Sequence, residues 1–227
     1  MSIPDLDQAA REAMARGDWV NAANVEIMMD EAEHAQAEQV VPMVSAALWY
    51  AQIGLKVFPC WPNIKEPATP HGFQDATTDE EIIRSWWAFS GADFNIGIAT
   101  GHVVDVWDVD PIMEHLDRPS GIKLWAMWLE AEAAGQLMLP PVLGVVSTVR
   151  PGATHYYVPA SGRPSETGHE KGDHPGIDFK AAGGYVVAPP SVVNRQDEGG
   201  NYLPGTGVRY RWRHPLQLPA EETARAN

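Results

Sequence analysis

Two aspartates end an apolar segment near the middle of the chain. The segment reads VVDVWDVD, and its last two acids are Asp108 and Asp110. Because side chains alternate between the two faces of a β-strand, Asp108 and Asp110 share one face, whereas Asp105 points to the other face with Trp107. Two carboxylates on one face repel each other and cost free energy to desolvate, and a bound divalent cation removes both penalties. The pair therefore predicts a site for Mg²⁺ or Mn²⁺, both of which prefer oxygen ligands.

A third acid, Asp178, occurs in a similar setting. It lies in the short apolar segment GIDFK, between Ile177 and Phe179. Taken alone, a D-x-D pattern is more often a pair of surface acids at a strand end than a metal site, because so short a pattern carries little information. The metal hypothesis therefore depends on the residues that accompany these aspartates.

Composition limits the class of protein. The chain has 227 residues, of which 44% are hydrophobic and 20% are charged, as is typical of a globular protein. Its one cysteine, Cys60, excludes an internal disulfide framework and a zinc site built from several thiolates, so no zinc is expected. The N-terminus lacks the pattern of a signal peptide, and no apolar run approaches the ~20 residues of a membrane span. These features predict a soluble, cytoplasmic protein with no membrane partner.

The charge of the chain bears on its partners. The formal net charge is -14, and residues 1–40, with nine acids and two bases, carry -7 of it. Lys and Arg contacts to phosphate supply most of the affinity of non-specific nucleic-acid binding, so an acidic chain is expected to hold a strand weakly or at a local basic site. Arg209, Arg211 and Arg213 alternate along a predicted strand, would face one way, and are candidates for such a site.

The elements that would position these residues are short and mixed. Helical periodicity and capping residues predict helices at 5–39 with a break at Gly17-Asp18, at 43–53 ending at Gly54, from Thr78 or Asp79 through Trp87, and at 120–134 with Leu124, Trp128 and Leu129 facing inward. Short apolar runs predict strands at 55–60, 95–100, 103–110, 144–149, 154–159, 176–180, 184–190 and 208–212. The strands at 95–100 and 103–110 are candidates for a hairpin. This mixture predicts an α+β fold with mostly antiparallel sheets.

Six blocks of sequence, in order, resemble the bifunctional primase-polymerase domain of the archaeo-eukaryotic primase superfamily, a domain typical of phages, plasmids and mobile elements. The blocks are AALWYAQIGLKVFPCWPNIKEP (46–67), GFQDATTDEEIIRSWW (72–87), NIGIATG (95–101), VWDVD (106–110), THYYV (154–158) and GIDFKAAGGYVVAPPS (176–191). The resemblance implies an RRM-like catalytic sheet, mixed or antiparallel, with a smaller α/β unit before it. It divides the chain into a helical N-terminal extension (1–41), a catalytic domain (42–215) and a flexible tail (216–227).

The resemblance also implies roles for individual residues. Asp108 and Asp110 match the family's paired metal ligands, and Asp178 matches its third acid. His155 matches the histidine that contacts the phosphates of the incoming nucleotide, and Lys180 lies where the family often has a basic residue beside the nucleotide. Further candidates for nucleotide binding are Lys65 of the K-x-P motif, Arg150 and Ser147. The expected cofactors are two Mg²⁺ or Mn²⁺ ions between the three aspartates.

The reaction that the resemblance implies is metal-dependent, template-directed nucleotidyl transfer by a DNA primase or polymerase, in the cytoplasm of a bacterium or a phage-infected host. The expected partners are single-stranded or primed DNA, dNTP or NTP, and a separate replicative helicase. Two alternatives stay open. One is a metal-dependent nuclease, since two-metal carboxylate sites also cut phosphodiesters. The other is a non-catalytic replication module that binds nucleotide or nucleic acid, and the net charge of -14 keeps this alternative open.

Overall fold

The computed structural model describes residues 12, 41–88, 93–111, 120–168, 174–197 and 199–219. Within these ranges the helices are α1 (Met43–Gln52), α2 (Glu80–Ala88) and α3 (Gly121–Ala133), with a 3-10 turn at Gly72–Asp75. The strands are β1 (Val57–Cys60), β2 (Asn95–Ala99), β3 (Val104–Val109), β4 (Gly144–Ser147), β5 (Thr154–Pro159), β6 (Ile177–Lys180), β7 (Tyr185–Ala188), β8 (Val192–Gln196), β9 (Tyr202–Arg209) and β10 (Arg211–His214). The helices predicted at 5–39 lie outside the described residues, apart from Glu12. None of the described helices is long and apolar enough to cross a membrane.

A five-stranded sheet carries the aspartates. Its strand order is β10-β4-β5-β3-β6, and every neighbouring pair is antiparallel. β3 therefore lies between β5 and β6 with both of its edges paired, and all of its residues are buried or half-buried. The predicted α+β fold with antiparallel sheets is confirmed.

A second, three-stranded sheet has the order β1-β2-β7 and is also antiparallel. Because β2 pairs with β1 and β7, both of its edges are occupied, and the hairpin predicted between 95–100 and 103–110 is wrong. Gly101, with a φ of +86°, turns the chain from one sheet into the other. The smaller sheet also contains β7, which follows most of the larger sheet in sequence, so it is not built solely from the segment that precedes the catalytic sheet.

Side chains from both sheets and from α1 form the main hydrophobic core. Its largest fully buried members include Tyr50, Phe58, Ile98, Val106 and Tyr157. A Cβ at position 97 would collide with the ring of Phe58, so Gly97 leaves the space that this ring occupies across the β1-β2 pair. The core therefore fixes the smaller sheet against the face of the larger sheet from which Val106 projects.

Helix α3 covers the opposite face of the five-stranded sheet. Trp125 is buried there in a cluster with Val109, and Leu124 and Trp128 pack beside it as predicted. Leu129 is 43% exposed, so its predicted inward orientation is wrong. Position along the helix is the reason: the buried residues of α3, Gly121, Trp125 and Ala126, lie in its first half, and Leu129 lies one turn beyond Trp125.

Strands β8 and β9 form a separate two-stranded antiparallel ribbon, here called the arm (192–209). The arm ends at Arg209, and the next strand, β10, begins at Arg211 in the five-stranded sheet. The expectation that Arg209, Arg211 and Arg213 lie on one strand and face one way is therefore wrong. Arg209 instead donates from Nη1 to the carbonyl of Pro190 at 2.8 Å, which fastens the end of the arm.

Candidate functional site

Three of the predicted site residues lie in one row across the five-stranded sheet. Asp108 on β3 is directly opposite His155 on β5 and directly opposite Asp178 on β6. Residues directly opposite each other project from the same face, so these three side chains lie side by side. By strand alternation, Asp110 and Lys180 project from this face as well.

The carboxylate of Asp108 faces the imidazole of His155, with 3.3 Å between Oδ1 and Nε2. The His155 side chain is 4% exposed and that of Asp108 is 21% exposed. Burial raises the pKa of Asp108, but the charge and hydrogen bond of His155, with the charges of Lys65 and Lys180, outweigh burial and hold this pKa well below its usual range. Asp108 is therefore ionised at neutral pH, as a metal ligand must be.

Asp178 is bonded at both of its carboxylate oxygens. Oδ2 accepts a hydrogen bond from Nζ of Lys180 at 2.7 Å, and Oδ1 accepts one from the amide of Gly168 at 2.9 Å. The side chain is 15% exposed. Although Asp178 neighbours Asp108 in the row, its charge is directed at a lysine and at the backbone.

Asp110 is positioned by the close approach of two backbone segments. Its amide donates to the carbonyl of Gly176 at 2.8 Å. Gly121, the first residue of α3, lies against the same carbonyl, with which a Cβ would collide. On its other side, Oδ1 of Asp110 lies 3.5 Å from Nη1 of Arg150, whose side chain is 50% exposed. The start of α3 and the residue before β6 thus contact the backbone of Asp110, and the turn after β4 contacts its carboxylate.

Two cavities meet at Asp108 and Lys65. One, here called the Arg150 cavity, has a volume of about 310 Å³ and is further lined by Asp110, residues 148–151 and residues 194–196. The other, here called the Lys180 cavity, has a volume of about 340 Å³ and is further lined by Phe73, His155, Ser165, Lys180, residues 183–187 and Tyr210. Cationic side chains therefore lie on both sides of an ionised aspartate: Arg150 and Arg195 in the first cavity, Lys180 in the second and Lys65 in both.

One predicted site residue is not brought to this face. Ser147 is opposite Thr154, which in turn is opposite Val109, and this register places Ser147 on the face that packs against α3. Its side chain is 3% exposed and does not line either cavity. The residue was a candidate because it lies close in sequence to Arg150, but alternation along β4 sends it to the wrong side.

The arm contributes residues that the sequence did not single out. Asn194, Arg195 and Gln196 of β8 line the Arg150 cavity, opposite the turn that carries Arg150. The sequence pattern for strand β8 is weak, because the apolar run before Arg195 consists of two valines. Tyr185 and Phe73, whose rings stack with 5.8 Å between centroids, line the Lys180 cavity and were also missed.

Asp108 and Asp110 present oxygen ligands to the same cavity. In the described part of the chain, no group of three or more His, Cys, Asp or Glu residues is arranged to hold a metal ion. However, Mg²⁺ is usually bound by one or two carboxylates together with substrate phosphates, so this pair fits a divalent cation. Asp178 fits as a third ligand provided that Lys180 releases its Oδ2.

A comparison with protein families identifies the family of the chain. The family model described as bifunctional DNA primase/polymerase, N-terminal, matches residues 47–225, a range that includes both cavities and the row of His155, Asp108 and Asp178. A comparison with curated proteins finds no match. The matched range covers well over half of the 227 residues. The chain therefore belongs to the family of bifunctional DNA primase/polymerase N-terminal domains.

Proposed function

We propose that this chain catalyses template-directed nucleotidyl transfer that depends on Mg²⁺ or Mn²⁺, and that it acts in the replication of a phage or other mobile element. The observation that carries the proposal is the meeting of two cation-lined cavities at Asp108, with Asp110, His155 and Asp178 around it. Polymerisation requires two anionic substrates, a nucleotide triphosphate and a nucleic-acid strand, to meet at acidic residues that hold metal. Two cavities that share one ionised aspartate are suited to that requirement.

The Lys180 cavity is the better candidate for the nucleotide. The ammonium groups of Lys65 and Lys180 line it and are suited to contact phosphate oxygens. His155 also lines this cavity, but its Nε2 faces Asp108 and its Nδ1 is buried, so it acts through Asp108. The stacked rings of Phe73 and Tyr185 offer an aromatic surface in the same cavity, suited to a base or a sugar. Its volume of about 340 Å³ lies within the range of small-ligand sites.

The Arg150 cavity is the better candidate for the nucleic-acid strand. Arg150, on the turn after β4, and Arg195, on the arm, approach it from different elements. Arg195 is exposed and makes no ion pair with any described residue, so its guanidinium is available to a phosphate. Two arginines are a small basic site, which agrees with the weak or local grip expected from a net charge of -14.

In this proposal Asp108 and Asp110 would hold the metal, with Asp178 as a third ligand if Lys180 turned from it to the phosphates of the nucleotide. A bound divalent cation lowers the pKa of the attacking hydroxyl and offsets charge on the phosphates. His155 keeps Asp108 ionised and oriented through its Nε2 contact. Lys65 and Lys180 offset the negative charge that the triphosphate brings to the site.

Primer extension on a single-stranded template tests the proposal. Asp108→Asn and Asp110→Asn keep the size of each side chain and remove its charge, so both should abolish incorporation of dNTP or NTP with Mg²⁺ or Mn²⁺ while the protein stays folded. Asp75→Asn is the matched control, because Asp75 is an acid bonded to His71 on a surface turn. The double variant of Asp108 and Asp110 extending a primer at the wild-type rate would refute the assignment.

The same assay separates the alternatives. A nuclease shortens the primer when metal is present and nucleotides are absent. A non-catalytic module neither extends nor shortens it, and titration of labelled dNTP in the presence of Mn²⁺ then shows whether it binds nucleotide. Reactions without primer distinguish priming from extension.

A further inference from the structure

Lys65 lies in a short irregular loop between the two cavities. The loop, here called the Lys65 loop (61–67), is closed by a hydrogen bond of 2.8 Å from the amide of Trp61 to the carbonyl of Glu66. A lysine side chain is a flexible stem of four carbons, so the reach of its ammonium group is set by where the backbone places the start of that stem. The contacts that hold Lys65 therefore affect both cavities.

The backbone of Lys65 is bonded on both sides by tyrosine hydroxyls. Its amide donates to the hydroxyl of Tyr202 at 3.1 Å, and its carbonyl accepts from the hydroxyl of Tyr185 at 3.3 Å. Tyr202 is the first residue of β9 in the arm, and Tyr185 is the first residue of β7. Two elements that are remote from Lys65 in sequence thus hold one peptide segment.

Further contacts hold the rest of the loop to the arm. The carbonyl of Asn63 accepts from the amide of Asn194 in β8 at 2.8 Å. Asn95, which is 1% exposed, donates from Nδ2 to the carbonyl of Ile64 at 3.1 Å and to that of Val192 at 2.7 Å. The arm and the Lys65 loop are therefore bonded at several points, and the Tyr202 contact is the one made to Lys65 itself.

We infer that Tyr202 is a positioning residue that, through the amide of Lys65, holds the lysine ammonium between the nucleotide and the nucleic-acid strand. The inference rests on the proposed function for its substrates. The arm then has two roles. Its strand β8 supplies Arg195 to the Arg150 cavity, and Tyr202 of β9 sets the position of Lys65. If binding of the nucleic-acid strand moves the arm, that movement would displace Lys65 and so alter the nucleotide site.

Tyr202→Phe tests the inference because it removes one oxygen and keeps the ring. The variant should raise the KM for nucleotide about three- to tenfold, as expected for the loss of one hydrogen bond, and change kcat less. Deuterium uptake at the amides of the Lys65 loop should rise in the same variant. In a Lys65→Ala background, Tyr202→Phe should have no further effect on KM, because its effect is exerted through the lysine side chain.

Thr206→Val is the matched control. It removes a hydroxyl from the same strand, where Thr206 accepts from the amide of Arg195 and donates to the carbonyl of Leu203, and it does not touch Lys65. It should leave deuterium uptake in the Lys65 loop and the KM for nucleotide at wild-type values.

The inference would be overturned if the wild type is active and Tyr202→Phe changes neither the KM for nucleotide nor the deuterium uptake of the Lys65 loop. An equal rise in KM with and without the lysine side chain would also overturn it. A wild type that neither binds nor incorporates nucleotide would overturn the proposed function, and the inference with it.

Discussion

Asp108 and Asp178 lie directly opposite each other on antiparallel strands, yet each carboxylate is bonded to a different partner. Asp108 contacts His155 at 3.3 Å, and Asp178 contacts Lys180 at 2.7 Å. Two like charges in adjacent positions of a sheet destabilise it, and a separate cationic or hydrogen-bonding partner for each one offsets this cost. In the proposed reaction, a phosphate that attracts Lys180 would remove the hydrogen bond from Nζ of Lys180 to Oδ2 of Asp178.

This exchange predicts the behaviour of Asp178→Asn. The variant should raise the concentration of Mn²⁺ needed for half-maximal primer extension about tenfold or more, since loss of a contact at a metal ligand weakens binding by that order. The rise should persist in a Lys180→Met background. If Asp178 served merely to hold Lys180, the rise would disappear there. Glu166→Gln is a suitable control, because Glu166 pairs with Arg163 on the surface at 2.8 Å.

Acid unfolding should report the environment of Asp108. Burial raises its pKa, and the opposing effects of His155, Lys65 and Lys180 more than reverse this, so the pKa is lower in the folded state than in the unfolded chain. Such a group stabilises the fold fully above its unfolded pKa of about 3.9, and the contribution is lost as pH falls from there towards the folded value. Between about pH 5 and about pH 3, the free energy of unfolding should fall more steeply for wild type than for Asp108→Asn. Denaturant titrations at several pH values measure the free energy of unfolding. An equal dependence on pH in wild type and Asp108→Asn would contradict a lowered pKa for Asp108.

Local rules predicted much of what surrounds the site. Strand alternation placed Asp105 on the face opposite Asp108, and in the structure Asp105 is fully buried and accepts hydrogen bonds from the amide and hydroxyl of Ser161. The predicted cap at Asp79 is also present, since its Oδ1 accepts from the amides of Glu81 and Ile82. The face on which Asp105 lies and the cap at Asp79 depend on neighbours within a few residues, which a sequence shows directly. The bonds from Ser161, 56 residues away, do not.

Sheet membership could not be predicted in this way. Neighbouring strands usually pair, yet β2 and β3 join different sheets, because β7, which lies far along the chain, occupies the edge of β2. The same kind of long-range choice divides Arg209 from Arg211 and brings Arg195 to the Arg150 cavity. Which β-strand lies beside which is decided by packing between distant segments, so the sequence did not reveal that Arg195 lines the Arg150 cavity.

Arg195 therefore replaces the three-arginine stripe as a predicted contact to the nucleic-acid strand. Arg195→Ala should weaken binding to single-stranded DNA. It should also reduce the steepness of the plot of log K against log salt concentration by about 0.7, the value for one phosphate contact on a single strand. Fluorescence anisotropy at several salt concentrations, without metal or nucleotide, measures this slope independently of catalysis. Arg84→Ala is the control, since Arg84 is 60% exposed and pairs with Glu80 on α2. An unchanged slope for Arg195→Ala would exclude a phosphate contact.

The contact between Gly121 and Gly176 predicts a link between packing and catalysis. A Cβ on Gly121 would collide with the carbonyl of Gly176, which is the group that accepts the hydrogen bond from the amide of Asp110. Gly121→Ala should therefore lower the free energy of unfolding by about 1–3 kcal/mol, as overpacking does, and should also lower kcat because the Asp110 carboxylate shifts. Urea titration and primer extension on the same preparations measure the two effects.

Gly135→Ala is the matched control for Gly121→Ala. Gly135 has a φ of +69° and no described atom within 4 Å of the position of an added Cβ, so the substitution carries backbone strain of about 1–2 kcal/mol without a collision. It should destabilise the protein and leave kcat unchanged, because residue 135 follows the C-terminal end of α3, whereas Gly121 begins the helix beside Asp110. Destabilisation of both variants with kcat preserved in both would show that the position of Asp110 does not depend on this contact. A fall in kcat confined to Gly121→Ala would show that close packing at the start of α3 sets the geometry of the carboxylate pair.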